Sequence, residues 1–245
     1  MGNIPVSTIE KRSHDIAFFR IVFSITLFFL SFPLTAQTTY SNILFMGNSI
    51  TRHGFLPSIG WPNNWGMAAS DSSKDYVHRL ISKIDSVQGF KPDFHIVGMA
   101  KYEANFRKYD PPTKFLKVTN HFNPDLIIVQ IGDNVKKDTA LTYNFGQIYF
   151  RFLEALKAKH ATADIICVTK FWANPTIDTM IVNSAQRAKV KIVDISALSL
   201  DPKNKVSSER YFKNSDIRIH PGDVGMENIA LVIFGVLYEG KREEN

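Results

Sequence analysis

Three polar residues of this chain have the types and positions that nucleophilic catalysis requires. Ser49 follows an apolar run through a Gly-Asn turn, which would expose its hydroxyl at the end of a strand. A serine becomes a nucleophile when a base accepts its proton, and His220 supplies an imidazole for that step. The base needs an acceptor on its other ring nitrogen, and Asp216 lies four residues before it. The set predicts acyl transfer through a covalent intermediate on Ser49.

This chemistry also needs fixed hydrogen-bond donors for the negative charge that develops on an ester oxygen. The candidates are main-chain N–H groups, that of Gly98 among them, and the side-chain amide of Asn134. Taken singly, these residues fit structural roles as well, since Ser49 could cap a helix and Asn134 could stabilise a turn. His220 could likewise pack in a core. Their order, after predicted strands or before the last predicted helix, favours catalysis.

Five short apolar runs predict the strands that would position these residues. They span residues 41–46, 94–97, 126–131, 165–169 and 191–195. Such runs are typical of buried strands in a parallel sheet. Apolar residues at helical spacing lie between these runs and predict four helices, at 77–87, 145–156, 177–190 and 224–238. Residues 71–73 are possible caps of the first helix, and residues 115–122 are a further, short helix candidate.

The alternation of strands and helices predicts an α/β fold. We expect a single three-layer α/β/α domain around a five-stranded parallel sheet with right-handed crossovers. Ligands of such sheets bind at the carboxyl ends of the strands. Ser49, Gly98 and Asn134 all follow predicted strands, so the expected site lies at that edge.

The order of these motifs resembles that of the SGNH, or GDSL-type, hydrolases over residues 43–237. Gly47-Asn48-Ser49 stands where the family usually has Gly-Asp-Ser, and residues 132–135 stand where it has Gly-x-Asn-Asp. Residues 216–221 stand where it has Asp-x-x-His-Pro. The resemblance implies the flavodoxin-like SGNH hydrolase fold, with Ser49 as nucleophile and His220 as base. It also implies an oxyanion hole formed by Ser49, Gly98 and Asn134.

Three departures from the family pattern affect this interpretation. Asn48 replaces the usual Asp, which removes an ionised partner from that turn, and Val135 replaces another Asp. Asp216 lies one residue too far from His220. At a spacing of four residues the two side chains can still meet in a helical turn, which would complete a triad. Otherwise a main-chain carbonyl orients His220, which leaves a Ser–His dyad.

Two tryptophans lie just after the predicted nucleophile, in a stretch rich in Gly, Pro and Asn. Aromatic faces stack on sugar rings, so Trp61 and Trp65 are candidate substrate-binding residues. The alternative is that they pack this long loop onto the domain. The stretch, residues 53–78, resembles one in secreted family members presumed to act on carbohydrates, and Trp172 follows the fourth predicted strand.

The resemblance favours a serine esterase that removes ester groups, O-acetyl above all, from a carbohydrate or glycan. A lipase, lysophospholipase or thioesterase is the alternative within the same chemistry. A carbohydrate-binding protein without catalytic activity, built on the same scaffold, is the alternative from another class.

The composition of the chain excludes several other classes of protein. The chain has 245 residues, of which 44% are hydrophobic and 21% charged, so it is not a disordered or low-complexity chain. Its single cysteine, Cys167, excludes an intramolecular disulfide framework. The net charge of +6 is scattered, so we expect no nucleic-acid partner. The histidines lack metal-ligand spacing and no phosphate loop is present, so we expect no metal and no cofactor.

The first 36 residues resemble a secretory signal. Lys11, Arg12 and Arg20 precede the apolar run 21–32, and small or polar residues follow as far as Ala36. The run is shorter than the roughly 20 residues that span a membrane. An uncleaved signal-anchor is the alternative. We expect a domain at 37–245 that is secreted or periplasmic and free of the membrane after cleavage; its oligomeric state is not encoded in any motif.

Overall fold

Five parallel strands form the central sheet of the computed structural model, which describes residues 1–2 and 38–238. They are β1 (Asn42–Gly47), β2 (Asp93–Gly98), β3 (Leu126–Gln130), β4 (Asp164–Val168) and β5 (Lys191–Val193). Their order across the sheet is β2-β1-β3-β4-β5, and every pairing is parallel. This is the flavodoxin-like order, in which the connection reverses direction between β1 and β3. The predicted five-stranded parallel sheet is confirmed.

The central strands are apolar on both faces because both faces are covered. Successive side chains of a strand point to opposite sides, so each strand contributes to two cores. Leu44 and Ile127 belong to one buried cluster, whereas Phe45 and Ile128 belong to the other. All five residues of β3 are buried.

Helices cover the two faces and complete the predicted three layers. The helices are α1 (Tyr76–Gln88), α2 (Ala100–Asn105), α3 (Lys137–Thr142), α4 (Phe145–Lys159), α5 (Pro175–Ala188), α6 (Ser215–Arg218) and α7 (Asp223–Tyr238). α1 packs with α7 on one face, and α4 packs with α5 on the other. The four longest helices are those that their apolar spacing predicts.

The remaining helical segments differ from the sequence expectations. The side chain of Asp75 caps α1 by accepting from the His78 N–H at 2.9 Å, whereas Asp71 caps a separate 3-10 turn. The candidate helix at 115–122 is a 3-10 helix at Pro112–Thr119. The helices α2, α3 and α6 are too short to show a repeating apolar stripe, which is why the sequence does not predict them.

Residues 38–238 lie within one compact unit. None of the helices in this part of the chain is long and apolar enough to cross a membrane. The signal sequence predicted at 1–36 falls outside the described residues, apart from residues 1–2, and stays a prediction.

Candidate active site

A tight turn at the carboxyl end of β1 holds Ser49 above the sheet. The N–H groups of Thr51 and Arg52 both donate to the Asn48 carbonyl, at 3.1 and 2.9 Å. The Ser49 carbonyl accepts from the Met67 N–H at 2.8 Å. Gly47 must be a glycine, since a Cβ there would lie 1.8 Å from Thr51 Oγ1. The turn therefore has its predicted place at the carboxyl end of a strand, and the strand order puts it at the β1/β3 switch point.

His220 is within hydrogen-bond reach of the Ser49 hydroxyl. The distance from Ser49 Oγ to His220 Nε2 is 2.9 Å. The other ring nitrogen, Nδ1, lies 2.6 Å from the main-chain carbonyl oxygen of Asp216. A carbonyl only accepts, so Nδ1 carries the hydrogen and Nε2 presents its lone pair to the serine. The imidazole is thus oriented as a base toward Ser49.

Asp216 reaches His220 through its main chain and not through its carboxylate. Its carboxylate is exposed and takes part in no hydrogen bond or ion pair with residues 38–238. The physical reason is α6, a single turn that the Asn214 side chain caps by accepting from the Asp216 N–H at 2.8 Å. This turn directs the Asp216 carbonyl, rather than its side chain, at the ring. The expectation of an Asp216 carboxylate as third triad member is therefore corrected to a Ser–His dyad oriented by a carbonyl.

Burial sets the protonation state of the base. His220 is 7% exposed, and this desolvation lowers the pKa of His220 to about 4. The hydrogen bond to the Asp216 carbonyl raises the pKa but only partly offsets the burial. The imidazole is therefore neutral at pH 7 and able to accept a proton.

Trp172 supports His220 from the side. The two rings meet edge to face, with centroids 4.8 Å apart at 80°. The indole N–H donates to the Ile219 carbonyl at 3.0 Å, next to His220 in the chain. The sequence places Trp172 only near the site, whereas the structure shows it in contact with the base.

Two buried carboxylates lie beneath the Ser49 turn, and sequence reasoning missed their role. Glu103 accepts from the Gly132 N–H at 2.5 Å, from Asn134 Nδ2 at 2.6 Å and from Asn48 Nδ2 at 3.1 Å. Asp133 accepts from the same Asn48 amide at 3.1 Å. Burial raises the pKa of both Glu103 and Asp133, and the hydrogen bonds oppose that rise.

This network explains why position 48 is an asparagine. The Asn48 amide is 1% exposed and donates to both carboxylates, while its oxygen accepts from the Ile50 N–H at 3.0 Å. An aspartate there would place a third carboxylate against Glu103 and Asp133. Position 48 itself carries no charge, as the sequence indicates, and two carboxyl groups contact its amide from neighbouring elements.

Two of the three predicted oxyanion donors, the Ser49 N–H and the Asn134 amide, have a hydrogen that no acceptor in residues 38–238 takes up. In residues 38–238, no acceptor pairs with the main-chain N–H of Ser49. The exposed Asn134 side chain follows β3 and donates one amide hydrogen to Glu103, which leaves its second hydrogen free for a ligand. Glu103 therefore fixes the orientation of the amide.

Gly98 ends β2 and pairs in register with Gly47. The N–H groups of Asp93 and Met99 donate toward β1, to the carbonyls of Ser41 and Gly47 at 2.9 and 2.7 Å. Donors alternate in direction along a strand, so the Gly98 N–H faces away from β1. This geometry does not favour Gly98 as an oxyanion donor, and its role stays a prediction.

Solved structures with a similar architecture include proteins from Bacteroides and Parabacteroides species. A protein from Bacteroides uniformis assigned as a GDSL-like lipase aligns with a TM-score of 0.53 and 14% identity, covering 82% of this chain and 96% of that one. The chain has the GDSL-like hydrolase fold. Similar matches come from Parabacteroides merdae (TM-score 0.51, 16% identity, 82% and 96% covered) and Bacteroides ovatus (TM-score 0.51, 12% identity, 80% and 97% covered). No protein-family model and no curated protein matches the sequence.

On this GDSL-like fold, the two predicted sugar-binding tryptophans are packing residues. Trp61 is 1% exposed, and its indole N–H donates to the His53 carbonyl at 3.2 Å. Trp65 is half-buried, meets Trp61 edge to face at 6.0 Å and donates to the Ala69 carbonyl at 3.0 Å. A buried face cannot stack on a sugar, so the assignment of Trp61 is corrected. Trp65 likewise packs the long loop.

A cleft of about 700 Å³ lies between the long loop after β1 and the segment that leads into α6, and neither Ser49 nor His220 lines it. Residues 57–60 form one wall, and residues 211–216 form the other. The second wall includes Asp216, whose carbonyl bonds His220. Elsewhere in residues 38–238, no group of three or more His, Cys, Asp or Glu side chains is placed to hold a metal ion.

Proposed function

We propose that this chain is a serine esterase that forms an acyl-enzyme on Ser49. The observation that carries the proposal is the contact of 2.9 Å between Ser49 Oγ and Nε2 of a neutral His220. The Nδ1 hydrogen of that ring is fixed at 2.6 Å from a carbonyl, so the lone pair of Nε2 faces the hydroxyl. A hydroxyl, an oriented base and free N–H donors at one edge of a sheet are the requirements of ester hydrolysis.

The first half of the reaction transfers the acyl group to the enzyme. Ser49 Oγ bonds to the ester carbonyl carbon while its proton moves to His220 Nε2. The resulting oxyanion accepts from the Ser49 N–H and from the free hydrogen of the Asn134 amide. The carbon–oxygen bond to the alcohol then breaks, and the alcohol oxygen takes the proton from Nε2.

The second half releases the acyl group with water. Water attacks the acyl carbon and passes a proton to His220 Nε2, and the bond to Ser49 Oγ then breaks as that oxygen regains the proton. The products are a carboxylic acid and the free enzyme. In both halves the transient imidazolium is held by the Asp216 carbonyl, which carries only a partial negative charge.

We propose an O-acetyl group on a carbohydrate or glycan as the substrate. Its support is a polar cleft whose lining includes Ser58, Lys213, Asn214 and Asp216. A lipase, lysophospholipase or thioesterase would use the same dyad but prefer a longer acyl chain. A protein that only binds carbohydrate would show no turnover at all.

The test is hydrolysis of p-nitrophenyl acetate by the full chain. We expect Ser49→Ala to lower kcat by roughly a thousandfold or more. Ser82→Ala, a change of the same kind at an exposed site on α1, should leave kcat unchanged. Equal rates for wild type and Ser49→Ala would overturn the proposal. A lower rate on p-nitrophenyl octanoate than on the acetate is expected, and the reverse preference would favour a lipase.

The proposed location is outside the cytoplasm, in the medium or the periplasm. It rests on the signal-like residues 1–36. N-terminal sequencing of protein recovered from the source cells should begin near Gln37. A start at residue 1 or 2 would instead favour the signal-anchor alternative.

A further inference from the structure

The strand order places the loop after β3 between the nucleophile turn and the residue that supports the base. β3 lies between β1 and β4 in the sheet, and Gly47, Gln130 and Val168 pair in one register at its carboxyl edge. The turn that carries Ser49 follows β1, and the segment that carries Trp172 follows β4. Neighbouring strands are about 5 Å apart, so a side chain just after β3 can reach both of these segments.

Asp133 contacts both segments with one carboxylate. Its Oδ2 accepts from Asn48 Nδ2 at 3.1 Å, in the turn that holds Ser49. Its Oδ1 accepts from the main-chain N–H of Trp172 at 3.3 Å. Gln130 Nε2 also donates to Oδ2, at 2.7 Å, and ties the carboxylate to the end of β3. The two oxygens therefore divide between the nucleophile side and the base side of the site.

The neighbours of Asp133 favour its ionised form. Asn48, Gln130 and Trp172 all present N–H donors, and an ionised carboxylate offers acceptors only. Burial raises the pKa of Asp133, but these hydrogen bonds and the positive charge of Lys170 oppose that rise. A carboxylate can accept from all three donors at once, whereas a neutral amide of the same shape has only one accepting oxygen.

Trp172 connects this carboxylate to the base. Asp133 holds its main chain, while its ring meets the His220 ring edge to face at 4.8 Å. The indole N–H also donates to the Ile219 carbonyl at 3.0 Å. The contact on Nδ1 of the imidazole comes from the Asp216 carbonyl and not from a carboxylate. The ring of Trp172 is therefore the second element that fixes the orientation of the imidazole.

We propose that Asp133 is a positioning residue that sets the distance of 2.9 Å between Ser49 Oγ and His220 Nε2. The proposal rests on the proposed esterase function. Asp133 makes no hydrogen bond to either reacting atom, so it acts on the nucleophile through Asn48 and on the base through Trp172. It stands at the variable position of the Gly-x-Asn-Asp pattern, which assigns it no role.

The test compares Asp133→Asn with Asp138→Asn, the same change at an exposed position on α3. An asparagine can keep its oxygen toward Asn48 and Gln130, which leaves its NH₂ group facing the Trp172 N–H, donor to donor. In Asp133→Asn, kcat on p-nitrophenyl acetate should fall about tenfold with KM within about twofold, because a displaced base slows the chemical step without changing the binding of so small a substrate. The control should match wild type.

A double-mutant cycle tests whether the effect passes through the Trp172 ring. Trp172→Ala removes the ring but keeps the main-chain N–H. In this background Asp133→Asn should therefore lower kcat by less than about twofold. The same tenfold loss in both backgrounds, or an unchanged kcat in the single variant, would overturn the proposal.

Two variants of Trp172 keep the proposal testable if Asp133→Asn does not fold. Trp172→Ala should lower kcat about tenfold. Trp172→Phe, which keeps an aromatic ring beside His220, should lower it by less than about threefold. Equal losses in the two variants would overturn transmission through the ring.

The indole N–H signals give a readout that does not depend on turnover. The chain has three tryptophans, so NMR spectra of protein with ¹⁵N-labelled tryptophan show three indole signals, and Trp172→Phe identifies that of Trp172. This signal should shift in Asp133→Asn, while the signal of Trp61 stays in place and Asp138→Asn moves neither. An unmoved Trp172 signal would overturn the positioning role. Failure of wild type to hydrolyse p-nitrophenyl acetate would instead overturn the esterase proposal.

Discussion

Replacing Glu103 with Gln should disable the oxyanion hole without touching the dyad. Three donors converge on the two carboxylate oxygens, from Gly132 N at 2.5 Å, Asn134 Nδ2 at 2.6 Å and Asn48 Nδ2 at 3.1 Å. A glutamine amide has one oxygen and one NH₂ group, so at least one of these donors would face another donor. Losing such a charge-assisted bond in a buried site costs roughly 1–3 kcal/mol.

The catalytic cost is larger if the Asn134 amide turns away. Loss of one oxyanion donor lowers kcat by roughly 10²–10³. We therefore expect Glu103→Gln to lower kcat on p-nitrophenyl acetate by about a hundredfold, with KM changed by less than about threefold. Glu154→Gln, the same change at an exposed position on α4, serves as control, and thermal unfolding shows whether each variant is folded.

A double-mutant cycle tests whether Glu103 acts through Asn134. In an Asn134→Ala background, Glu103→Gln should lower kcat by less than about threefold, because the amide that it positions is already gone. The same hundredfold loss in both backgrounds would refute this reasoning. An unchanged kcat in the single variant would refute it as well.

Three further predictions concern the base, its support and the turn. Because burial lowers the pKa of His220 to about 4, kcat/KM for p-nitrophenyl acetate should stay level from pH 7 to about pH 5 and fall as the imidazole is protonated near pH 4; an acid limb near the ordinary histidine value of about 6.5 would contradict this. Asp216→Asn should leave kcat on p-nitrophenyl acetate within about twofold, because the main-chain carbonyl orients the base; a hundredfold loss would restore the carboxylate to a triad. Asn48→Asp should destabilise the fold by roughly 2–4 kcal/mol at pH 7, since it adds a third carboxylate beside Glu103 and Asp133. In this variant, repulsion and burial raise the folded-state pKa of the new carboxyl group. Urea unfolding should therefore show a lower free energy of unfolding than wild type above about pH 4, and this difference should disappear at lower pH. A difference that does not depend on pH would indicate a packing defect instead.

The sheet was predictable because its signal is local. The central strands are mainly apolar runs that end at turns, and this pattern placed Ser49 and Asn134 at strand ends. The boundaries shifted by one or two residues where the apolar run outlasts the pairing, as at β5, which ends at Val193 rather than at Ile195.

The buried network was not predictable because its partners are far apart in the chain. Glu103 lies on α2, a helix of 6 residues without an apolar stripe. It contacts Gly132, Asn134 and Asn48, which are 29, 31 and 55 residues away. The sequence did offer one signal, which is Asn48 itself. GDSL-type hydrolases usually have an aspartate at this position, so an asparagine there indicates that another residue supplies the carboxylate.

The roles of Asp216 and Trp61 depended on orientation, which spacing does not fix. The single turn of α6 decides whether Asp216 presents its carbonyl or its carboxylate to the ring. Trp61 is buried because Val206 and Ile217, about 150 residues later, pack against it. A loop with exposed tryptophans and one with buried tryptophans have the same local composition.

Covalent labelling of the nucleophile tests the central claim most directly. The full chain would be incubated with a fluorophosphonate at pH 7, and the labelled peptide would be mapped by mass spectrometry. We predict one adduct, on Ser49, with labelling roughly a thousandfold slower in His220→Ala. Labelling at another residue, or equal rates with and without His220, would contradict a serine activated by this histidine.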